Sequence, residues 1–317
     1  MSSPNRITTR VVPGTKLRTS SVGVRVEPAR LGAPGLDPRM APHIGRIREA
    51  GITTFEVGGG AGAARVERLL GSALSRADSE VVILGHRSLS SLADEAAHVR
   101  GERTAPDLVS RLRSSLAASR SRLAPHRIDL LVWDLSAEAA PDSAEVYPAL
   151  EQLREQGEIA GWVSRVAPGL AWPVLPTSGP HLYQAQLSPL DRELLPELSS
   201  RASSEVFGVF ADDPLGGGRL DGTRIPGGLM DRGPTDPPAR VSELEREFAP
   251  VLRLEFLTAR SGRTLAQSAI RFALHWPWVC SVLVPLPRPE QLAEVAAADR
   301  APPLTDEEVR RILDLPP

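Results

Sequence analysis

The sequence predicts an α/β protein folded as a single (β/α)8 barrel over residues 1–317. Short apolar runs rich in β-branched residues recur along the chain, and an amphipathic segment of helical period follows most of them. Eight such units in 317 residues match one barrel better than two open sheets. The runs are apolar throughout, as expected for parallel strands buried on both faces. No linker-like stretch divides the chain, so we predict one domain.

The predicted strands and helices alternate at barrel spacing. Strands are expected over 22–27, 53–57, 81–86, 128–134, 160–165, 182–186, 206–212 and 281–286. Helices are expected over 38–50, 63–76, 105–123, 143–156, 189–202, 265–274 and 289–298. A last helix follows Thr305, which stands three residues before Glu308 as in a capping box.

Two connections depart from the alternation of strands and helices, and a hairpin-like segment comes before the first barrel strand. The stretch 167–180 is rich in Pro and Gly and has room for a short helix only. The stretch 216–238 is the longest irregular segment and follows the seventh strand, on the side where barrel active sites open. Lys16, the only lysine, falls in a hairpin-like segment before the first barrel strand.

Composition excludes several classes of function. The net charge of −2 provides no basic field for nucleic acid, and no apolar run is long enough to span a bilayer. The chain shows no signal peptide, so we expect a cytoplasmic protein with a small-molecule substrate. Its single cysteine, Cys280, lies in an apolar run and is expected to fill the core. Oligomeric state is not predicted.

Five segments, in the correct order, resemble the aldo-keto reductase family over nearly the full chain. They are 51–57 for its second strand, 127–131 for the approach to its fourth, 156–164 for its fifth, 213–222 for the loop after its seventh, and 265–274 with 282–291 for its C-terminal cofactor region. The resemblance implies the same barrel. It also implies carbonyl reduction, in which an Asp, a Tyr, a Lys and a His act beside a nicotinamide cofactor.

All four of those catalytic positions differ in this chain. The matching residues are Glu56 for the Asp, Ala61 for the Tyr, His86 for the Lys and Asp134 for the His. Both tyrosines, Tyr147 and Tyr183, fall elsewhere. A positioned general acid contributes about 10²–10⁴-fold to rate, and alanine has no proton to give. We therefore expect the usual family reaction to be replaced.

The cofactor positions implied by the resemblance are half retained. They are Ser164 and Gln184 on the nicotinamide side, and Arg288 and Gln291 on the adenine and phosphate side. Asp212 and Asp213 would place two negative charges beside a dinucleotide. We expect no resident cofactor, with NADP(H) as the alternative.

The replacement residues suggest a proton-transfer site. Glu56, His86 and Asp134 would project at the C-terminal ends of adjacent strands, where barrel enzymes place catalytic groups. A carboxylate beside a His raises its pKa and fixes its tautomer. A merely structural polar network stays open as an alternative, and so does a metal site with one His and two carboxylates, although we predict no metal.

Two further residues are candidates for substrate binding. Arg165 could hold a carboxylate or phosphate in its planar fork, or pair with Asp134, which we favour slightly. Trp133 directly precedes Asp134 and could line the pocket or face the helices.

The first functional expectation is therefore redox-neutral acid/base chemistry, such as dehydration, isomerisation or cyclisation, on a small organic substrate. Specialised metabolism is the expected setting. The alternatives are an NADP(H)-dependent carbonyl reductase with a replaced proton donor, and a non-catalytic barrel that binds a ligand or a partner.

Overall fold

The computed structural model confirms the predicted barrel. It describes residues 7–28, 39–60, 62–88, 91–92, 107–134, 143–169, 172, 181–203, 206–222, 248–259 and 261–316. The strands of the described part are β1 (Thr9–Val11), β2 (Arg18–Ser20), β3 (Val22–Val26), β4 (Thr54–Val57), β5 (Val82–Arg87), β6 (Leu130–Asp134), β7 (Gly161–Arg165), β8 (His181–Gln186), β9 (Phe207–Asp212) and β10 (Val279–Pro285). Strands β3 to β10 close in chain order, all parallel, with β10 pairing β3.

Helices pack around this barrel. The described ones are α1 (Met40–Glu49), α2 (Ala63–Ala73), α3 (Leu108–Leu123), α4 (Ser143–Glu155), α5 (Leu195–Ala202), α6 (Leu265–Leu274), α7 (Leu292–Ala297) and α8 (Asp306–Leu313), with 3-10 turns at Glu255–Leu257 and Ala298–Arg300. Capping boxes formed by Thr264 with Gln267, and by Thr305 with Glu308, begin α6 and α8. The capping box predicted at Thr305 is thus confirmed.

The predicted boundaries agree with the structure to within a few residues, with one larger exception. The helix predicted over 189–202 begins only at Leu195. Ser188 and Asp191 exchange backbone and side-chain hydrogen bonds there, including Ser188 Oγ to Asp191 Oδ2 at 2.7 Å, and this turn replaces the first helical residues. Lys16 lies in the turn between β1 and β2, as predicted.

Alternate residues of each barrel strand face opposite layers. The outward side chains pack against the helices in a region that we call the helix layer. The inward side chains form, with Val12 of the N-terminal hairpin, a separate apolar cluster that we call the barrel core: Val12, Val82, Leu84, Leu130, Val132, Val163, Leu182, Phe210, Cys280 and Leu283. Burial raises the pKa of the Cys280 thiol to about 12. The thiol is therefore a core filler, as predicted.

Candidate active site

Charged and polar side chains occupy the inward positions at the C-terminal ends of the strands. Because side chains alternate along a strand, the residue two beyond a barrel-core residue faces the same interior. His86 follows Leu84 in this way, and Asp134 follows Val132. The same rule places a group that we call the mouth cluster: Arg25, Glu56, His86, Asp134, Arg165, Gln184 and Asp212.

Glu56 and His86 form a buried hydrogen-bonded pair within the mouth cluster. Glu56 Oε1 bonds His86 Nε2 and also accepts from Gln184 Nε2 at 2.9 Å. The Arg25 guanidinium stands close by, with Nε 3.8 Å from the same oxygen. The Glu56 side chain is 0% exposed and that of His86 is 3% exposed. Exclusion of water strengthens the electrostatic attraction between them.

The protonation state of the pair follows from these contacts. Burial raises the pKa of Glu56, but the charge and hydrogen bond of His86, together with Arg25 and Gln184, outweigh burial and lower the pKa below its ordinary value. Glu56 is therefore a carboxylate, which can only accept. His86 Nε2 must carry the proton of their hydrogen bond, so Nδ1 is the ring nitrogen that is not bonded to Glu56.

A second half of the mouth cluster consists of arginine–carboxylate pairs. Arg25 Nη1 lies 2.6 Å from Asp212 Oδ2. The two Nη atoms of Arg165 each stand 3.5 Å from a carboxylate oxygen, one on Asp134 and one on Asp212. The pairing of Arg165 with Asp134 was the favoured prediction. Asp134 was also expected to orient His86, but the ring bonds Glu56 instead among the described residues.

Asp212 has an unusual electrostatic position. Burial and the nearby charge of Glu56 raise its pKa, although Arg25 and Arg165 act in the opposite direction. Sequence reasoning considered Asp212 only as an obstacle to a dinucleotide and missed Arg25. A signal was present, because Arg25 is the one charged residue in an otherwise apolar strand, at an inward position.

Two predicted site residues face the helix layer and not the mouth. Trp133 is fully buried against α3 and α4, where it packs with Leu112 and Leu150. Ser164 is fully buried and its Oγ lies 3.4 Å from the Tyr147 hydroxyl, on α4. The alternation that directs Arg165 inward directs both residues outward. Both side chains point away from the mouth cluster, and their roles in binding substrate and nicotinamide stay predictions.

The positions of the tyrosines agree with the loss of the usual proton donor. Tyr147 packs against Trp162 in the helix layer, with ring centroids 4.9 Å apart and the planes tilted by 30°. Tyr183 faces outward from β8 and contacts the rings of Trp172 and Phe207. The chain has only these two tyrosines, so no phenol points into the mouth. Ala61, which matches the family's Tyr, lies outside the described residues.

Some of the remaining residues fit a nicotinamide cofactor. Gln184 keeps one buried acceptor, Oε1, without a hydrogen-bond partner among the described residues. Gln291 lines a groove of about 40 Å³ between the loop after β9 and the start of α7, together with Leu215, Gly218 and Glu294. Its Oε1 accepts the Arg288 backbone N–H at 3.1 Å, and the exposed Arg288 guanidinium stands 2.8 Å from Glu290.

Two further findings concern metals and membranes. In the described ranges, no group of three or more His, Cys, Asp and Glu side chains is placed so that it could hold a metal ion. None of the helices in those ranges is long and apolar enough to cross a bilayer.

Comparison with known proteins defines the class to which this barrel belongs. A model of the aldo/keto reductase family matches residues 41–315. The chain therefore belongs to the aldo/keto reductase family, as its sequence motifs indicated. The search of curated protein sequences found no match.

Solved structures of this family share the fold at low sequence identity. An aldo-keto reductase from Bacillus halodurans, in its apo form, is 18% identical with a TM-score of 0.67, covering 97% of this chain and 95% of that one. The glycerol dehydrogenase of Gluconobacter oxydans is 19% identical with a TM-score of 0.68, covering 96% and 94%. An aldo/keto reductase from Klebsiella pneumoniae, in complex with NADP and acetate, is 16% identical with a TM-score of 0.65, covering 96% and 94%.

Proposed function

We propose that the protein is an NADP(H)-dependent oxidoreductase of small carbonyl compounds in which His86 replaces the usual phenol as the proton-transferring group. The observation that carries this proposal is the buried Glu56–His86 pair at the C-terminal end of the barrel. The pair lies at the end of the barrel where barrel enzymes perform chemistry. His86 is the one imidazole in the mouth cluster.

His86 would act through Nδ1. Glu56 holds Nε2–H and stabilises the imidazolium, as a buried carboxylate does for the imidazole of a catalytic triad. A protonated Nδ1 would donate to the carbonyl oxygen of the substrate, and a neutral Nδ1 would accept the proton of an alcohol in the reverse direction. Gln184 holds Glu56 Oε1 in place from β8.

The cofactor would supply or accept the hydride. Gln184 Oε1 is a buried acceptor suited to its amide, and the groove at Gln291 and the backbone turn at Arg288 are suited to its adenine and phosphate side. NADP appears in the name of the Klebsiella pneumoniae structure, which supports this choice of cofactor. Arg165, which spans Asp134 and Asp212 at 3.5 Å, would receive an anionic group of the substrate.

A redox-neutral acid/base reaction is the second candidate. The direction of Ser164 favours it. Because Ser164 faces the helix layer, a nicotinamide amide would have one hydrogen-bond partner fewer than the family resemblance implies. The Glu56–His86 pair would then take a proton from one substrate atom and return it to another, without a cofactor.

Titration with NADPH and NADH, followed by protein fluorescence quenching, separates the two candidates. The oxidoreductase requires saturable binding at micromolar concentration and turnover of a carbonyl panel. His86→Gln should lower that turnover by about 10²-fold or more while leaving cofactor affinity unchanged. The matched control is His275→Gln, an exposed residue at the opposite end of the barrel. Absence of binding for both dinucleotides would overturn the proposal.

A further inference from the structure

One buried cation in the helix layer is not explained by packing. Arg87 follows His86 in β5 and faces outward, and only 3% of its side chain is exposed. The outward residues near the ends of the neighbouring strands are apolar, namely Val57 on β4 and Trp133 on β6. Burying a guanidinium in such a layer is costly unless every donor is paired, and an apolar residue would pack there at lower cost.

The contacts of Arg87 connect the catalytic strand to two helices. Its Nη1 donates to the His86 carbonyl oxygen at 2.7 Å. Its Nε donates to Ser115 Oγ at 2.6 Å, and its Nη2 donates to Ser119 Oγ, one turn further along α3. Glu67 of α2, fully buried, stands 3.5 Å from Nη2 and accepts from Ser119 Oγ at 2.7 Å.

The hydrogen bonds of the Arg87 guanidinium are arranged to fix the end of β5. The planar guanidinium offers donors in fixed directions, and here they join a backbone carbonyl to two hydroxyls on one face of a helix. The carbonyl belongs to His86, so the position of its Cα relative to α3 is set by Arg87. Glu67 is also paired with Arg122 of α3, so two guanidinium groups share this one carboxylate.

We propose that Arg87 is a positioning residue that holds His86 in register with Glu56. The proposal rests on the role of His86 in the proposed function. Arg87 acts through the backbone of its neighbour, and its replacement loosens the Glu56–His86 hydrogen bond before it unfolds the barrel.

The experiment uses the full chain labelled with ¹⁵N-histidine. The ring N–H that His86 donates to Glu56 is assigned as the resonance lost in His86→Gln, and its exchange with water is measured. Arg87→Gln should raise that exchange rate by about tenfold or more, because the end of β5 loses its charge-assisted hydrogen bonds to α3 and opens more often. Arg87→Lys keeps the charge but not the planar guanidinium, and its exchange rate should lie between those of wild type and Arg87→Gln.

Arg122→Gln is the matched control, because Arg122 shares Glu67 and Ser119 with Arg87, whereas the bond to the His86 carbonyl oxygen is made by Arg87. In Arg122→Gln, the exchange rate of the His86 ring N–H should stay within about twofold of wild type. Unchanged exchange in Arg87→Gln, or an equal rise in Arg122→Gln, would overturn the positioning role. A wild-type spectrum without a protected His86 ring proton would instead refute the Glu56–His86 pair, and with it the proposed function.

Discussion

The barrel core and the mouth cluster are built on the same strands but from opposite kinds of residue. His86 lies two positions after Leu84, Asp134 two after Val132 and Asp212 two after Phe210, so each pair faces the same interior. The first member of each pair is apolar, whereas the second is ionisable. The interior of the barrel therefore changes from apolar to ionisable side chains within two residues of each of these strands.

This difference separates stability from function within a single barrel. Burial of apolar side chains in the core stabilises the fold, while buried ion pairs contribute little net stability and are costly when one partner is lost. Each cation of the mouth cluster meets a carboxylate, as Arg25 meets Asp212 and Arg165 meets Asp134. The third carboxylate of the cluster, Glu56, bonds His86, and an apolar mouth would fold as well or better.

The largest expected effect comes from the barrel core. Phe210→Ala removes a fully buried ring from the interior and should lower the free energy of unfolding by about 3–5 kcal/mol. Urea unfolding followed by circular dichroism measures this loss. Val206→Ala, at a side chain that is 62% exposed, is the control and should stay within about 0.5 kcal/mol of wild type. A loss below about 1 kcal/mol for Phe210→Ala would mean that the core does not carry the stability.

The next effect distinguishes the mouth cluster from the core. Glu56→Leu leaves His86 and Gln184 without their acceptor and should cost about 3 kcal/mol. Adding His86→Leu should recover at least about 1 kcal/mol, because an apolar pair replaces a buried polar one. Recovery in the double variant, with loss of catalytic turnover, would show that the pair exists for chemistry. If the double variant is less stable than the single one, the pair is part of the stabilising core.

The fold could be predicted from the sequence because its elements carry strong local signals. Continuous apolar strands such as 128–134 and the amphipathic run 265–274 appear in the structure with the bounds expected, to within two residues. The helix predicted over 189–202 fails because its first residues have an alternative set of hydrogen bonds, those of Ser188 with Asp191. Periodicity does not detect such a competing turn.

The site was less predictable because it depends on which face of a strand each residue occupies. Glu56, His86 and Arg165 were found from motif positions, and they do face the interior. Ser164 was also assigned from its motif position, and Trp133 from its place before Asp134, but both face the helix layer because one step along a strand reverses the face. Arg25 was missed because its partner, Asp212, lies on a strand that is adjacent only across β10. Such a pairing depends on closure of the barrel.

The smallest expected effect concerns Asp213, one residue beyond the mouth cluster. Burial raises its pKa to about 6, and the neighbouring carboxylates Asp212 and Asp191 add to this, against the Gly217 backbone N–H and Arg25. The folded protein therefore binds the proton more tightly than the unfolded chain. The charged form destabilises the fold, by a penalty that is absent below an ordinary pKa of 3.8 and complete above about 6.

Asp213→Asn should remove that penalty and keep the local structure. An Asn oxygen can still accept the Gly217 N–H, which donates to Asp213 at 2.8 Å, and Asn tolerates the φ of 45° at this position. We expect a gain of about 1–2 kcal/mol in unfolding free energy at pH 8 that disappears near pH 4, measured by urea unfolding across pH. Asp221→Asn in the same loop is the control. A gain of equal size at both pH values would mean that the turn, and not the charge of Asp213, causes the change in unfolding free energy. The charged Asp213 carboxylate would then not destabilise the fold.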